Sequence, residues 1–135
     1  MATLAKSPTL LESLAAIVGP ANLLTAEAER RFAATDVLGF AQLPAAVARP
    51  GSVDELQAIV QACAHARTPI VIRGGGASYT DGYTHKVPNG IAIDTARLTG
   101  IEINAQNATV TVEPGVTWAA LRDALHPLGD RKSVV

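Results

Sequence analysis

The stretch of this chain best equipped for chemistry is Arg73-Gly74-Gly75-Gly76-Ala77-Ser78-Tyr79-Thr80-Asp81-Gly82. Three successive glycines open backbone angles closed to other residues and let main chain approach a ligand closely. Consecutive amides that turn inward make a nest for an anion such as a pyrophosphate, and Ser78 and Thr80 add hydroxyl donors. The run is no Walker loop, because no Gly-Lys-Ser/Thr closes it. Nor is it the dinucleotide fingerprint, since the glycines open no helix and follow the second strand of their unit rather than the first. On these residues alone, phosphate binding and a flexible surface loop stand as equal readings. No nucleophile–base pair or general-acid dyad is visible. His65, His85 and His126 are too scattered to form a metal-ligand set, and His85 reads as an exposed loop histidine. The single cysteine, Cys63, excludes a disulfide framework and a multi-cysteine metal site.

The elements around the loop are marked by their breakers. Ala45-Ala46-Val47-Ala48 is a short apolar run that predicts a buried strand, ended by Arg49-Pro50-Gly51. Ser52-Val53-Asp54-Glu55 matches a capping box, with the serine oxygen on the Glu55 amide and the Glu55 carboxylate on the cap amide. Leu56, Ile59, Val60 and Cys63 then recur at helical spacing to about residue 66, with Cys63 an inert core thiol on the apolar face. Thr68-Pro69 breaks that helix, and β-branched Ile70-Val71-Ile72 runs straight into the glycines, giving a β-α-β unit. Ile91–Asp94, Gly100–Asn104 and Ala108–Val112 each alternate with period two, with a turn over Asn104–Asn107 and Pro114-Gly115 closing the ribbon. Thr117 caps a last helix whose Trp118, Leu121 and Leu125 share a face, which assigns Trp118 to the core. Before residue 45 the chain is helix-rich. Ser7-Pro8 predicts the start of a helix stopped by Gly19-Pro20, and Thr25 predicts the cap of a second with Glu27, Glu29, Arg30 and Arg31 on a solvated face. The fold class is mixed α/β (α+β): a helical arm over 1–44 that packs without chemistry, then βαβ and antiparallel strands with a following helix.

Four blocks taken together go further. They are Arg49–Leu56, Ile70–Gly82, Ile93-Asp94-Thr95-Ala96-Arg97-Leu98 and Val110–Thr117. In this order and at these spacings they resemble the FAD-binding domain of the vanillyl-alcohol oxidase and p-cresol methylhydroxylase (PCMH-type) superfamily, over roughly residues 36–129. The resemblance implies an FAD-dependent oxidoreductase whose parent enzyme oxidises a small alcohol or hydroxy-acid-type substrate by hydride transfer to the flavin. By position it implies that the amides of Arg73, Gly74, Gly75, Gly76, Ala77 and Ser78 wrap the FAD pyrophosphate. Tyr79, Thr80, Asp81 and Gly82 would line the same cleft, Pro50 would lie at the adenine end, and Pro114, Gly115 and Val116 would pass on the other side. Arg73 either offsets phosphate charge or supports the loop through a salt bridge. Relatives with a histidyl-linked flavin place histidine where this chain has Ala77. A methyl group cannot form that bond, so FAD is expected to be held non-covalently there. The alternative is a non-redox nucleotide- or anion-binding module using the same glycine loop, or a short interaction protein.

The chain has 135 residues, a formal net charge of -1 and 48% hydrophobic residues against 17% charged, which excludes wholesale disorder. Without a basic excess, and with aromatics at 4%, nucleic acid and anionic membrane surfaces are not expected partners. No apolar stretch reaches the ~18 residues of a membrane helix, and Glu12 interrupts the candidate leader, so a cytoplasmic location is expected. Residues 45–129 are expected to form part of a PCMH-type FAD-binding domain. Asp130–Val135 back-translate to a common sequencing adapter and read as a non-native read-through tail on an N-terminal fragment. Without the ring pocket and substrate domain that the resemblance implies, such a fragment is expected to be inactive and to retain FAD weakly or not at all.

Overall fold

The computed structural model describes residues 8–37, 39–77 and 79–129. The expectation at Ser7 and those for residues 130–135 lie outside them. Helix α1 spans Leu10–Val18, and its cap is Thr9 rather than the Ser7-Pro8 pair. The Thr9 hydroxyl accepts from the Glu12 amide and the Glu12 carboxylate accepts from the Thr9 amide, a complete capping box. Those two bonds hold the Glu12 carboxyl below its ordinary range. Strand β1 is Leu23–Leu24 and helix α2 is Glu27–Ala33, capped by Ala26 without a side-chain bond rather than by Thr25. A small hairpin of β2 (Thr35–Asp36) and β3 (Gly39–Phe40) follows. Strand β4 (Ala46–Ala48) leads through Arg49-Pro50-Gly51 into α3 (Val53–His65). As expected, the Ser52 hydroxyl accepts from the Glu55 amide at 3.1 Å. The Glu55 carboxylate instead takes the Gly51 amide at 2.7 Å, one residue earlier than a capping box requires.

Strand β5 is Ile70–Arg73 and β6 is Ile91–Asp94. The hairpin of β7 (Ile101–Asn104) and β8 (Thr109–Val112) stands apart as its own two-stranded sheet, and α4 (Trp118–Leu125) ends the described chain with a 3-10 turn over His126–Leu128. The main sheet has the order β1-β4-β6-β5, with β1 antiparallel and the other three parallel. β6 therefore inserts between the two strands of the β-α-β unit instead of continuing into the antiparallel ribbon. Ile91, Ala92 and Ile93 are all buried, because both faces of a central parallel strand are covered.

The sheet's two faces sort the core. Ala46, Ala48, Ile91 and Ile93 face Leu14 and Val18 of α1 and Ile59 and Cys63 of α3. Val47 and Ala92 face Ala33 of α2. Fully burying each of Ile59, Ile91 and Ile93 contributes about 1.5–3 kcal/mol. The arm thus shares the core of the sheet through α1, β1 and α2. Cys63 is buried as expected, and desolvation pushes its thiol pKa up. Trp118 is not core. It is 71% exposed, and with Leu121 and Leu125 it lines an open groove against β7–β8, because α4 has no second layer to pack on among the described residues. No helix among the described residues is long and apolar enough to cross a membrane.

Candidate functional site

Because β4, β6 and β5 run parallel, their carboxyl ends come out on one edge of the sheet, the edge where open α/β sheets bind ligands. Arg49-Pro50-Gly51 leaves β4 there, Thr95 leaves β6 and Gly74 leaves β5. Cross-links join the three exits. The Arg49 Nε lies 3.3 Å from the Asp94 carboxylate. Arg97 donates to the Arg49 carbonyl at 2.7 Å, and its guanidinium occupies the space that a Cβ on Gly51 would need. Pro50 is fully buried beneath this corner.

Thr95 ties the remaining exits. Its amide donates to the Arg73 carbonyl at 3.1 Å, and its hydroxyl lies 3.4 Å from that oxygen and 3.5 Å from the Pro114 carbonyl. The Gly115 amide donates to the Leu98 carbonyl at 2.8 Å. Arg73, Gly74, Pro114 and Gly115 therefore meet around one buried threonine, while Val116 continues half-buried with its amide on the Glu113 carbonyl. Thr95 and Arg97 belong to the Ile93–Leu98 block, but their roles as cross-links come from backbone carbonyls that meet only in the fold.

The glycine loop begins at this junction. Gly74 and Gly75 are exposed, and a Cβ on Gly75 would meet nothing within 4 Å. Gly76 adopts a left-handed φ of 71°. Among the described residues, none takes a hydrogen bond from the amides of Gly74, Gly75 or Gly76. Beneath them the Arg73 side chain is buried, 9% exposed. It makes no salt bridge among the described residues. Its guanidinium carbon lies 4.8 Å from the centre of the Phe32 ring and 4.7 Å from that of Tyr83, and its Nη1 donates to the Thr35 carbonyl at 2.9 Å. Tyr83 in turn donates its hydroxyl to the Gly76 carbonyl at 2.8 Å. The loop is supported by rings and a carbonyl, and the arginine's charge is left without a carboxylate partner among the described residues.

Farther along, Ala77, Tyr79, Thr80 and Gly82 are exposed, and Ser78 lies outside the described residues. Asp81 sits at a left-handed φ of 56° and accepts from Thr84 and Lys86. His85 is buried, 3% exposed, not an exposed loop histidine. Its ring fills the space over Gly90 that a Cβ would take, and its carbonyl accepts from the Gln42 amide. Its Nε2 has no hydrogen-bond partner among the described residues. Burial holds the imidazole below its ordinary range of about 6.5, partly opposed by a hydrogen bond to the Ile91 backbone. Since the folded value is depressed, the unfolded chain takes up the proton first as pH falls. The stability of the buried neutral ring is complete above pH ~6.5 and is lost as pH falls below it. Urea midpoints are expected to drop between pH 7.5 and 5.5, and His85→Gln should flatten that slope. A slope unchanged by the substitution would place its origin in another group. Among the described residues no group of three or more His, Cys, Asp or Glu side chains could hold a metal ion.

A short parallel sheet with an exposed glycine loop at its carboxyl edge, followed by an antiparallel hairpin and a helix, defines an α+β domain of the PCMH type. p-Cresol methylhydroxylase superposes with a TM-score of 0.73 at 23% identity, over 95% of this chain and 27% of that one. The FAD binding domain family matches residues 44–131, and the chain belongs to that family. It is 34% identical over 120 residues to the glycolate oxidase subunit GlcD of Bacillus subtilis (strain 168), over 87% of this chain and 25% of the relative. It is 31% identical over 141 residues to the quinone-dependent D-lactate dehydrogenase of Escherichia coli (strain K12), over 94% of this chain and 23% of that enzyme. The chain thus spans about a quarter of the length of the curated relatives it matches.

Proposed function

We propose that this chain is the pyrophosphate-gripping side of the FAD site of an FAD-linked oxidoreductase. One observation carries the reading: three glycine amides with no partner among the described residues lie above a buried arginine that no described carboxylate neutralises. Such a nest, with a fixed positive charge below it, suits a diphosphate. Gly74, Gly75 and Gly76 would donate amides to the pyrophosphate, and Arg73 would add its charge from beneath. Pro50 would close the adenine end, Tyr79, Thr80 and Gly82 would line the cleft, and Pro114, Gly115 and Val116 would bound its far side. Gly74 and Gly75 leave the room that this approach needs, so the residues fit the group.

A bound flavin supplies hydride-accepting redox chemistry; this part of the chain contributes binding and orientation. The whole protein's reaction is proposed to be oxidation of a small alcohol or hydroxy acid, supported by the glycolate oxidase subunit and D-lactate dehydrogenase among the relatives. Residues 45–129 would form the first part of the FAD-binding domain. Attachment at Ala77 would be non-covalent, because its methyl group offers no nucleophile.

Calorimetric titration with ADP and with FAD tests this. Both are expected to bind weakly and with similar affinity, because the shared diphosphate is what the loop grips. FAD taken up by the chain should appear wholly in the supernatant after acid precipitation. Absence of binding by both ligands at millimolar concentration would overturn the reading. Flavin carried down with the protein pellet would overturn its non-covalent part.

A further inference from the structure

Phe32 is 71% exposed on α2 and is not part of the core. Its ring faces the Arg73 guanidinium at 4.8 Å, and Tyr83 faces the same guanidinium at 4.7 Å. The Thr35 carbonyl, two residues past the end of α2, takes the Arg73 Nη1 across 38 residues of sequence. The guanidinium so held lies directly under Gly76, where it fills the space of a would-be Cβ, and Tyr83 also bonds the Gly76 carbonyl. A chain of contacts thus runs from the helical arm through one arginine to the turn of the glycine loop. Each link is a direct contact between named groups.

We infer that Phe32 and Thr35 of the arm are positioning elements for the glycine loop. The Phe32 ring clamps Arg73 against that of Tyr83 and the Thr35 carbonyl anchors its guanidinium, so that Gly76 is held in its left-handed turn before any ligand arrives. Pre-ordering of this kind lowers the entropy that a ligand must overcome to order the loop. What the loop then grips rests on the flavin reading above; the coupling from arm to loop does not. Because Phe32 is mostly exposed, changing it perturbs the clamp without emptying the core.

Amide nitrogen relaxation on the 135-residue chain tests the inference, with Phe32→Leu, Phe32→Trp and Tyr83→Phe compared with the unsubstituted protein. Leucine keeps apolar bulk but lacks the π face that attracts a cation, whereas tryptophan presents the strongest one. The Gly76 order parameter is expected near the rigid value of about 0.85 in the unsubstituted chain and below about 0.6 in Phe32→Leu. Phe32→Trp should restore it, and Tyr83→Phe, which loses only the hydroxyl, should fall between. ADP affinity is expected to weaken about threefold in Phe32→Leu and to recover in Phe32→Trp. A Gly76 order parameter unmoved by Phe32→Leu would overturn the inference. So would a loss of order shared equally by Ala92 in the central strand, which would mean general loosening. If ADP fails to bind the unsubstituted chain while Gly76 responds as expected, the clamp stands and the flavin reading falls.

Discussion

Gly115→Ala is expected to destabilise the chain by about 3 kcal/mol, the upper end of the usual cost of overpacking. The reason is where the new methyl group would go. A Cβ at Gly115 points into the carbonyl oxygens of Thr95 and Leu98, closer to both than real side-chain carbons approach. These are backbone atoms, so no rotamer change can make room. The Thr95–Leu98 turn is itself fixed by the Leu98 amide on the Thr95 carbonyl and by the Thr95 amide on the Arg73 carbonyl. Either the turn moves and takes the end of β5 with it, or the Gly115–Leu98 hydrogen bond breaks. Thermal unfolding should show a fall of roughly 10 °C in Tm for a domain of this size. A shift within a degree or two would mean that the junction of the three strand exits is softer than its hydrogen bonds suggest.

The contrast between local and distant signals explains how much of this was legible in the sequence. The β-α-β unit could be read because its signals are local: a β-branched run, a serine cap and breakers at Pro50-Gly51 and Thr68-Pro69. The Ser52 hydroxyl cap is legible because it needs only residues three apart, while the Glu55 carboxylate departs from the box to the Gly51 amide. The insertion of Ile91–Asp94 between β4 and β5 was not legible. The period-two reading of Ile91–Asp94 predicts a half-exposed ribbon strand, whereas Ile91, Ala92 and Ile93 are all buried and their partners lie 21 and 45 residues back in register, Ile70 and Ala46 both opposite Ile91. The glycines mark the loop in the sequence, but nothing marks its supports, because Phe32 looks like one residue of a charged helix face until Arg73 is placed against it. Of the two roles open for Arg73 in the sequence, the supporting salt bridge is replaced among the described residues by an aromatic clamp, which no local pattern announces. Polar and turn-forming neighbours on both sides of His85 predict solvent exposure, yet the ring is buried. Its burial depends on Gly90 lacking a side chain and on a bridge to Gln42, neither of which is a local pattern.

The three consecutive glycines look equivalent in sequence and are not equivalent in the fold. Gly76 is constrained by its left-handed φ and by the guanidinium below it, so alanine there would strain the free protein itself. Gly74 meets only the Pro114 carbonyl, at 4.0 Å, which an added methyl would tolerate. Gly75 has an ordinary φ and open space on the side where a Cβ would project. Nothing in the free fold therefore requires glycine at 75, and Gly75→Ala is expected to leave Tm within about 1 °C, as surface changes away from special features do. Its effect should appear only when something comes close to the loop. If a diphosphate takes the Gly75 amide, the methyl group stands in its way and one charge-assisted hydrogen bond, worth about 1.5–3 kcal/mol, is lost or lengthened. ADP and FAD affinity should then fall roughly 10- to 100-fold. Calorimetry and thermal unfolding on the same preparation separate the outcomes. Lost affinity with unchanged Tm identifies glycine at 75 as a requirement of the ligand, whereas unchanged affinity would remove Gly75 from the nest and leave the grip to Gly74 and Gly76.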